Sequence, residues 1–170
     1  LNPGILMSAL FSPFRMAGLE LANRLDVSPM CQYSADDGCA NDWHLMHLGM
    51  LVNSGAALLV VEATHVERAG RITHGCLGLY SDDNEAALAR VIAQVRRAGS
   101  ARLGIQLAHS GRKGSAQRPW EGGASLKAGD DPWETIAASP IPFGDGWQTP
   151  REATEADLNR VREAFVSATK

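Results

Sequence analysis

Three apolar segments, each ending in polar side chains and each followed by a helical pattern, constrain the fold of this chain most strongly. They are residues 26–33 (DVSPMCQY), 58–64 (LLVVEAT) and 103–109 (LGIQLAH). Strand–helix alternation of this kind is typical of a parallel α/β sheet. In such folds ligands bind at the carboxyl ends of the strands. The pattern therefore predicts reactive groups gathered at one end of a parallel sheet, which favours an enzyme over a generic globular domain.

The composition fits one ordinary globular domain and narrows the class of partner. The chain has 170 residues, of which 45% are hydrophobic and 21% charged, and a net charge of −3. No basic stripe indicates nucleic-acid binding, and no apolar run approaches the roughly 18 residues that indicate a membrane span. Three cysteines without a CxxC pair argue against a disulfide framework and a structural zinc site. A reducing, cytoplasmic setting is therefore expected.

Helix-capping residues and periodicity predict the remaining elements. Residues 10–25 predict a small hairpin around Ala17-Gly18, and strands are expected near 25–29, 57–63 and 103–108. A helix is expected from a cap at Asn41 or Asp42 to about Asn53, and a second from Ser81 to Gly99. An extended patch at 135–141 precedes a third helix, which opens at Thr154. The apolar face of that helix is predicted to consist of Leu158, Val161, Phe165 and Val166.

The two ends of the sequence suggest a part of a larger domain. Met7-Ser-Ala-Leu resembles a natural start, so residues 1–6 are expected to be upstream or added sequence. They also lack the features of a secretory signal. The third helix continues to Lys170 and would lead into a fourth strand. Three strand–helix units are too few for a closed barrel, which takes eight units and ~250 residues.

Several candidate residues admit two interpretations. Cys31 is either a buried structural thiol or a thiol that faces a bound cofactor. Tyr33 points to the same side as Cys31 if the chain stays extended, although it could equally be a core residue. Gln106 interrupts an apolar strand. Its amide suits a heterocycle with alternating C=O and N–H groups, and the alternative is pairing with Glu62 or with the backbone.

Other catalytic motifs are weak or absent. His44 and His47 have the i, i+3 spacing of a metal-binding pair, but no third ligand is evident, so no metal site is expected. No GxxxxGK[ST], GxSxG or GxGxxG sequence occurs, which leaves P-loop, serine-hydrolase and Rossmann hypotheses without support.

Five ordered motifs resemble the Old Yellow Enzyme family of NADH:flavin oxidoreductases/NADH oxidases, from about Met7 to Lys170. They are Pro29-Met-Cys-Gln-Tyr33, Asn41-Asp-Trp-His44, Val60-Val-Glu-Ala-Thr64, Gly70-Arg-Ile-Thr73 and Gly104-Ile-Gln-Leu-Ala-His-Ser-Gly-Arg-Lys113. The cysteine after Pro-Met is typical of the xenobiotic reductase-like branch. The resemblance implies a (β/α)₈ TIM barrel that binds FMN at its C-terminal mouth, with residues 7–170 as the N-terminal part. It also implies a homo-oligomer in the full-length form.

The activity that the resemblance implies is that of an NADPH dehydrogenase or ene-reductase. Hydride passes from NADPH or NADH to FMN and then to the β-carbon of an activated alkene such as an enone, or to a nitro compound. The resemblance places the backbone of Pro29 and Met30 against the flavin and assigns Cys31 to tuning its redox potential. The Ala63 backbone approaches the ring, and Gln106 hydrogen-bonds its pyrimidine part.

The resemblance also assigns Tyr33 to holding the small-molecule substrate over the ring. The family's substrate-binding histidine pair, its proton donor and its FMN-phosphate groups belong to later strands and cannot be placed here. The chain alone is therefore expected to bind FMN weakly or not at all, without turnover. Two alternatives remain open: the N-terminal part of a dienoyl-CoA reductase-like multidomain flavoenzyme, and a non-catalytic half-barrel that serves as a binding module.

Overall fold

A computed structural model describes residues 8–170, so the segment expected to be upstream sequence, residues 1–6, lies outside the described residues. The described chain begins with an antiparallel hairpin of β1 (Phe14–Met16) and β2 (Leu19–Leu21). This confirms the hairpin predicted around Ala17-Gly18. Ala17 has a φ of 50°, a left-handed conformation that tight hairpin turns commonly require.

The centre of the fold is a three-stranded parallel sheet in the order β3–β4–β5, as the strand–helix alternation predicts. The strands are β3 (Asp26–Val27), β4 (Leu58–His65) and β5 (Arg102–Ala108). β3 is shorter than the predicted residues 25–29 because Pro29 cannot donate a hydrogen bond to a neighbouring strand. β4 runs two residues beyond the predicted end at 63, and its last residues are all buried.

Two helices, α1 (Asp42–Val52) and α2 (Asp82–Ala98), connect these strands. The Asn41 side chain caps α1 by accepting from the Trp43 N–H at 3.1 Å, and Ser81 caps α2 by accepting from the Asn84 N–H at 3.2 Å. The apolar positions of both helices pack on one face of the sheet. Their shared core includes Leu48, Val52, Leu59, Val61, Leu88, Val91 and Val95.

The segment after β5 differs more from expectation. β6 (Ile136–Ala137) occupies only part of the predicted patch 135–141, and it pairs in parallel with β7 (Arg151–Glu152), which the sequence analysis missed. The α3 helix (Glu155–Ala168) begins after Thr154, as predicted. None of the helices in the described part of the chain has the length and apolarity needed to cross a membrane.

The predicted apolar face of α3 is only partly covered, since Val161 and Phe165 are half-buried while the other two residues are exposed. Leu158 is 61% exposed and Val166 is 44% exposed, because no described element packs over them. Polar contacts hold the start of α3 instead. Asp157 is buried and accepts from Arg151 Nη1 at 2.7 Å and from Arg160 Nη1 at 2.6 Å.

Candidate active site at the carboxyl ends of the strands

A β-bulge at Glu62 decides which side chains meet at the carboxyl end of the sheet. Val61 pairs with Ile105 and Ala63 pairs with Gln106, so Glu62 is the extra residue of β4. Paired residues share a face of the sheet, and successive residues alternate. Because Val61 belongs to the core under the helices, Ala63 and Gln106 share the opposite face. The bulge therefore brings two predicted site residues together on the side away from the helices.

Gln106 is exposed at this end of the sheet. Within residues 8–170 the side-chain amide of Gln106 forms no hydrogen bond. The Glu62 carboxylate accepts a hydrogen bond from the Gln32 backbone N–H instead, at 2.9 Å. The interpretation in which Gln106 pairs with Glu62 is therefore wrong. A donor and an acceptor remain available to a ligand.

Cys31 and Tyr33 follow β3 and lie beside the end of β4. The Ala63 backbone amide contacts the Cys31 sulfur, and the Tyr33 side chain contacts the same thiol. The assumption that the chain stays extended is wrong, because Tyr33 has a φ of 52°. Gly75 permits this turn, since a Cβ there would lie 2.1 Å from the Tyr33 carbonyl oxygen. Left-handed φ values at bulky residues are rare and cluster at functional sites.

Both groups are protonated at neutral pH, and burial moves their pKa values further above neutrality. It raises the pKa of the Cys31 thiol to about 11, and neighbouring Cys76 and Glu62 raise it further. Burial, followed by the nearby Cys31, raises the pKa of Tyr33 to about 12. The environment therefore does not activate Cys31 as a nucleophile. It presents a neutral thiol and a phenol that retains its proton.

The other predicted flavin contacts lie at the same end of the sheet. Pro29 is half-buried, and Met30 is 48% exposed directly after β3. His109, which follows β5, turns to Glu67 instead, with 2.9 Å between Nε2 and Oε1. Its Nδ1 accepts from the Gly111 N–H at 3.1 Å. Glu62 and His109 are therefore polar groups at strand ends that serve internal contacts.

Two further residues near the site escaped sequence reasoning. Trp120 is 65% exposed and meets the Tyr33 ring edge-on, with 6.1 Å between ring centroids. Arg71 is buried, with Nη1 2.9 Å from Asp37 Oδ1. Arg71 belongs to the Gly70–Thr73 motif, so the sequence did mark its position. Trp120 lies in a short 3₁₀ turn, Pro119–Glu121, that no motif marked. In the part of the chain that the structure describes, no cluster of three His, Cys, Asp or Glu side chains could hold a metal ion.

Comparison with known sequences agrees with this arrangement. Residues 9–170 match the model of the NADH:flavin oxidoreductase / NADH oxidase family. An NADH:flavin oxidoreductase of Gibberella zeae is 39% identical over 165 residues, which are 95% of this chain and 40% of the relative. An NADPH dehydrogenase of Geobacillus thermodenitrificans is 39% identical over 160 residues, which are 93% of this chain and 42% of the relative. The chain thus spans less than half the length of these relatives.

Solved structures agree on the fold. Old Yellow Enzyme from Pichia sp. AKU4542 superposes with a TM-score of 0.79 at 21% identity, over 96% of this chain and 42% of that protein. Morphinone reductase superposes with a TM-score of 0.76 at 23% identity, over 94% of this chain and 43% of that protein. The likeness confirms that β3, β4 and β5 form part of a (β/α)₈ TIM barrel. The chain belongs to the NADH:flavin oxidoreductase / NADH oxidase family.

Proposed function

We propose that the protein is an FMN-dependent NAD(P)H oxidoreductase that reduces activated alkenes such as enones, with nitro compounds and other xenobiotics as further substrates. One observation carries the proposal: the Gln106 amide, the Ala63 backbone and the Cys31 thiol converge at the carboxyl ends of three parallel strands. Ligands of α/β barrels bind at this end. When bound, FMN supplies hydride transfer between NADPH or NADH and the β-carbon of the alkene.

The residues present fit a flavin ring. The pyrimidine part of isoalloxazine alternates C=O and N–H groups, and the unengaged Gln106 amide offers one donor and one acceptor to it. Ala63 has a small side chain, which lets a ring approach its backbone. Pro29 and Met30 follow β3, where their backbone can face the ring, while Met30 also lines a small pocket with His44 and His47 of α1. The neutral Cys31 thiol can lie against the ring without adding a charge.

Tyr33 is the substrate-positioning residue of this proposal. Its hydroxyl is protonated at neutral pH, as a phenol ordinarily is, and burial raises its pKa further, to about 12. It can therefore donate a hydrogen bond to the carbonyl of an enone or the oxygen of a nitro group. The edge-on contact with Trp120 restricts the motion of the phenol.

A groove between α2 and α3 is a competing site on the described surface, and its charge argues against FMN. Three carboxylates, Asp82, Glu85 and Glu163, line it together with one cation, Lys170. These carboxylates would repel the phosphate of FMN. Within residues 8–170, the carboxyl ends of the strands carry no outward-facing acidic cluster of this kind. The carboxylate of Glu62, which lies there, is buried.

The affinity for FMN is proposed to be low in this chain alone, without turnover. Residues 7–170 form, in this proposal, the N-terminal part of one FMN-binding barrel domain. The phosphate-binding groups would come from the part of the family fold that this chain does not span. The full-length protein is proposed to be a cytoplasmic homo-oligomer that acts on small molecules.

Flavin fluorescence titrations test the assignment of the ring site. Riboflavin, which lacks the phosphate, and FMN are expected to bind the chain with the same low affinity. The Gln106→Leu variant should lose about tenfold in affinity for flavin. Two hydrogen bonds worth roughly 1 kcal/mol each are removed, and part of this loss is offset because leucine need not be stripped of bound water. Gln94→Leu, on the exposed surface of α2, is the matched control. Tight stoichiometric FMN binding, or equal affinities of the two variants, would contradict the proposal.

A chimera tests the activity. The chain is fused to the part of the Geobacillus thermodenitrificans NADPH dehydrogenase that it does not match. The chimera is expected to retain FMN and to oxidise NADPH when an enone is present, whereas the chain alone does not. Enone-dependent NADPH oxidation by the chain alone would contradict the proposal that part of the active site comes from the region that this chain does not span.

A further inference from the structure

Glu62 lies buried beneath the segment that carries Cys31 and Tyr33. Its Oε2 accepts from the Gln32 backbone N–H at 2.9 Å, and the neighbouring Tyr33 backbone N–H lies close enough to the carboxylate to help lower its pKa. Two consecutive backbone groups therefore face one buried side chain. Because Gln32 lies between Cys31 and Tyr33, the hydrogen bond to its N–H restrains both site residues.

His44 approaches the carboxylate from α1. Its Nε2 lies 3.6 Å from Glu62 Oε1, and the side chain is 1% exposed. Its Nδ1 lies 3.1 Å from the Asn41 backbone nitrogen and 3.0 Å from Asn41 Oδ1. We assign Nδ1 as the acceptor of the Asn41 N–H, because within residues 8–170 that N–H has no other acceptor. A neutral imidazole whose Nδ1 is an acceptor carries its proton on Nε2. That proton points at Glu62, so His44 joins the cap of α1 to the carboxylate.

The bulge of β4 makes this arrangement possible. In a regular strand, residue 62 would point to the face opposite Val61, away from α1. As the extra residue of the bulge, Glu62 contacts His44 of α1 instead. Bulges next to active sites commonly redirect a side chain in this way.

We propose that Glu62, oriented by His44, is a positioning residue that holds the Cys31 thiol and the Tyr33 phenol at the end of the sheet. The consequence for flavin and substrate rests on the proposed function, whereas the contacts within the chain do not. Other hydrogen-bonded groups around the site, such as His109 and Glu67, do not touch the segment 29–33.

The charge of Glu62 offers a readout of this role. Ionisable groups from three elements face it: His44 and His47 of α1, Cys31 and Tyr33 after β3, and Cys76 after β4. Burial raises the pKa of Glu62 to about 7, and the hydrogen bonds from the Gln32 and Tyr33 backbone oppose the rise. Burial lowers the pKa of His44 to about 4. Above pH 7 Glu62 is therefore negative while His44 remains neutral.

Nuclear magnetic resonance of the unaltered chain is the first test. The backbone amide protons of Gln32 and Tyr33 are expected to shift together with a midpoint near pH 7, as their acceptor ionises. The Asn84 amide is the control, because its acceptor is the neutral hydroxyl of Ser81. Gln32 and Tyr33 amides that do not respond between about pH 5 and pH 9 would overturn the proposal.

Site-specific alkylation of Cys31, followed by mass spectrometry across a pH series, is the second test. The midpoint is expected near 11 in the unaltered chain and should be lower in Glu62→Gln, which removes a neighbouring negative charge. Glu67→Gln is the matched control, because its carboxylate contacts His109 and Arg160 instead. A purely structural role changes the plateau of the alkylation rate but not its midpoint. An unshifted midpoint in Glu62→Gln, or an ordinary midpoint in the unaltered chain, contradicts the proposal.

Neither measurement requires flavin. Positive results without flavin binding would retain Glu62 as the positioning residue and refute only the proposed cofactor. Should Glu62→Gln fail to fold, the amide titration of the unaltered chain still decides the question.

Discussion

The strands β4 and β5 pair along the same sheet, yet they end in opposite surroundings. Val61 to His65 of β4 are all buried, and most of their polar side-chain atoms have partners within the chain, with His65 Nε2 as an exception. Thr64 Oγ1 donates to the Glu62 carbonyl at 2.9 Å, and His65 Nδ1 lies 3.0 Å from the Leu77 carbonyl. β5 instead exposes Gln106. The comparison indicates that β4 organises the site from within, while β5 presents a group to a ligand.

Apolar truncation should separate the two strands most clearly. Leu59→Ala in β4 removes a side chain that is 1% exposed, so the free energy of unfolding should fall by about 2–5 kcal/mol. Ile105→Ala in β5 removes one that is 40% exposed, and the loss should be about 1 kcal/mol or less. Urea unfolding followed by circular dichroism measures both. Equal losses would mean that β5 is buried as deeply as β4.

The pH dependence of stability should reveal the buried end of β4. Burial lowers the pKa of His65 to about 4. Between pH 6.5 and 4 the unfolded chain binds a proton at this histidine and the folded chain does not, so stability falls as the pH falls through this range. In His65→Gln, the free energy of unfolding should fall by up to roughly 3 kcal/mol less over this pH range than in the unaltered chain.

The control for this pH experiment is His74→Gln, because His74 is only half-buried and lies outside β4. Urea midpoints measured at several pH values give the slopes. If His65→Gln and the unaltered chain lose stability equally between pH 6.5 and 4, His65 is not the buried neutral group that the account requires.

Polar substitutions should give the smallest difference in stability. Thr64→Val removes a buried hydrogen bond of β4 and should cost about 1 kcal/mol. Gln106→Leu alters an exposed residue of β5 and should change the free energy of unfolding by less than about 0.5 kcal/mol. A larger loss for Gln106→Leu than for Thr64→Val would reverse the roles assigned to the two strands.

The sequence predicted the elements of the sheet well because their signals are local. The apolar runs of β4 and β5 and the caps at Asn41, Ser81 and Thr154 each depend on a few neighbouring residues. The short β7 strand escaped prediction because its two residues pair with β6, far away in the sequence. The exposed face of α3 escaped it as well, because periodicity shows which side is apolar but not what covers that side.

The site was predicted in its members but not in its geometry. Cys31, Ala63 and Gln106 stood out by residue type and by the family motifs, and the structure brings them to one end of the sheet. The alternation rule places Glu62 beside Gln106. The bulge instead turns Glu62 under α1, and no local pattern in the sequence reveals a bulge. A register shift depends on how two strands pair, so the sequence of one strand alone does not reveal it.

The most direct test of the central claim is to map where flavin contacts the chain, by following backbone amide resonances during addition of riboflavin. We expect shifts confined to residues 29–33, 62–64 and 104–107, at the carboxyl ends of the three strands. Shifts centred on Tyr80, Glu85 and Glu163, in the groove between α2 and α3, would contradict it.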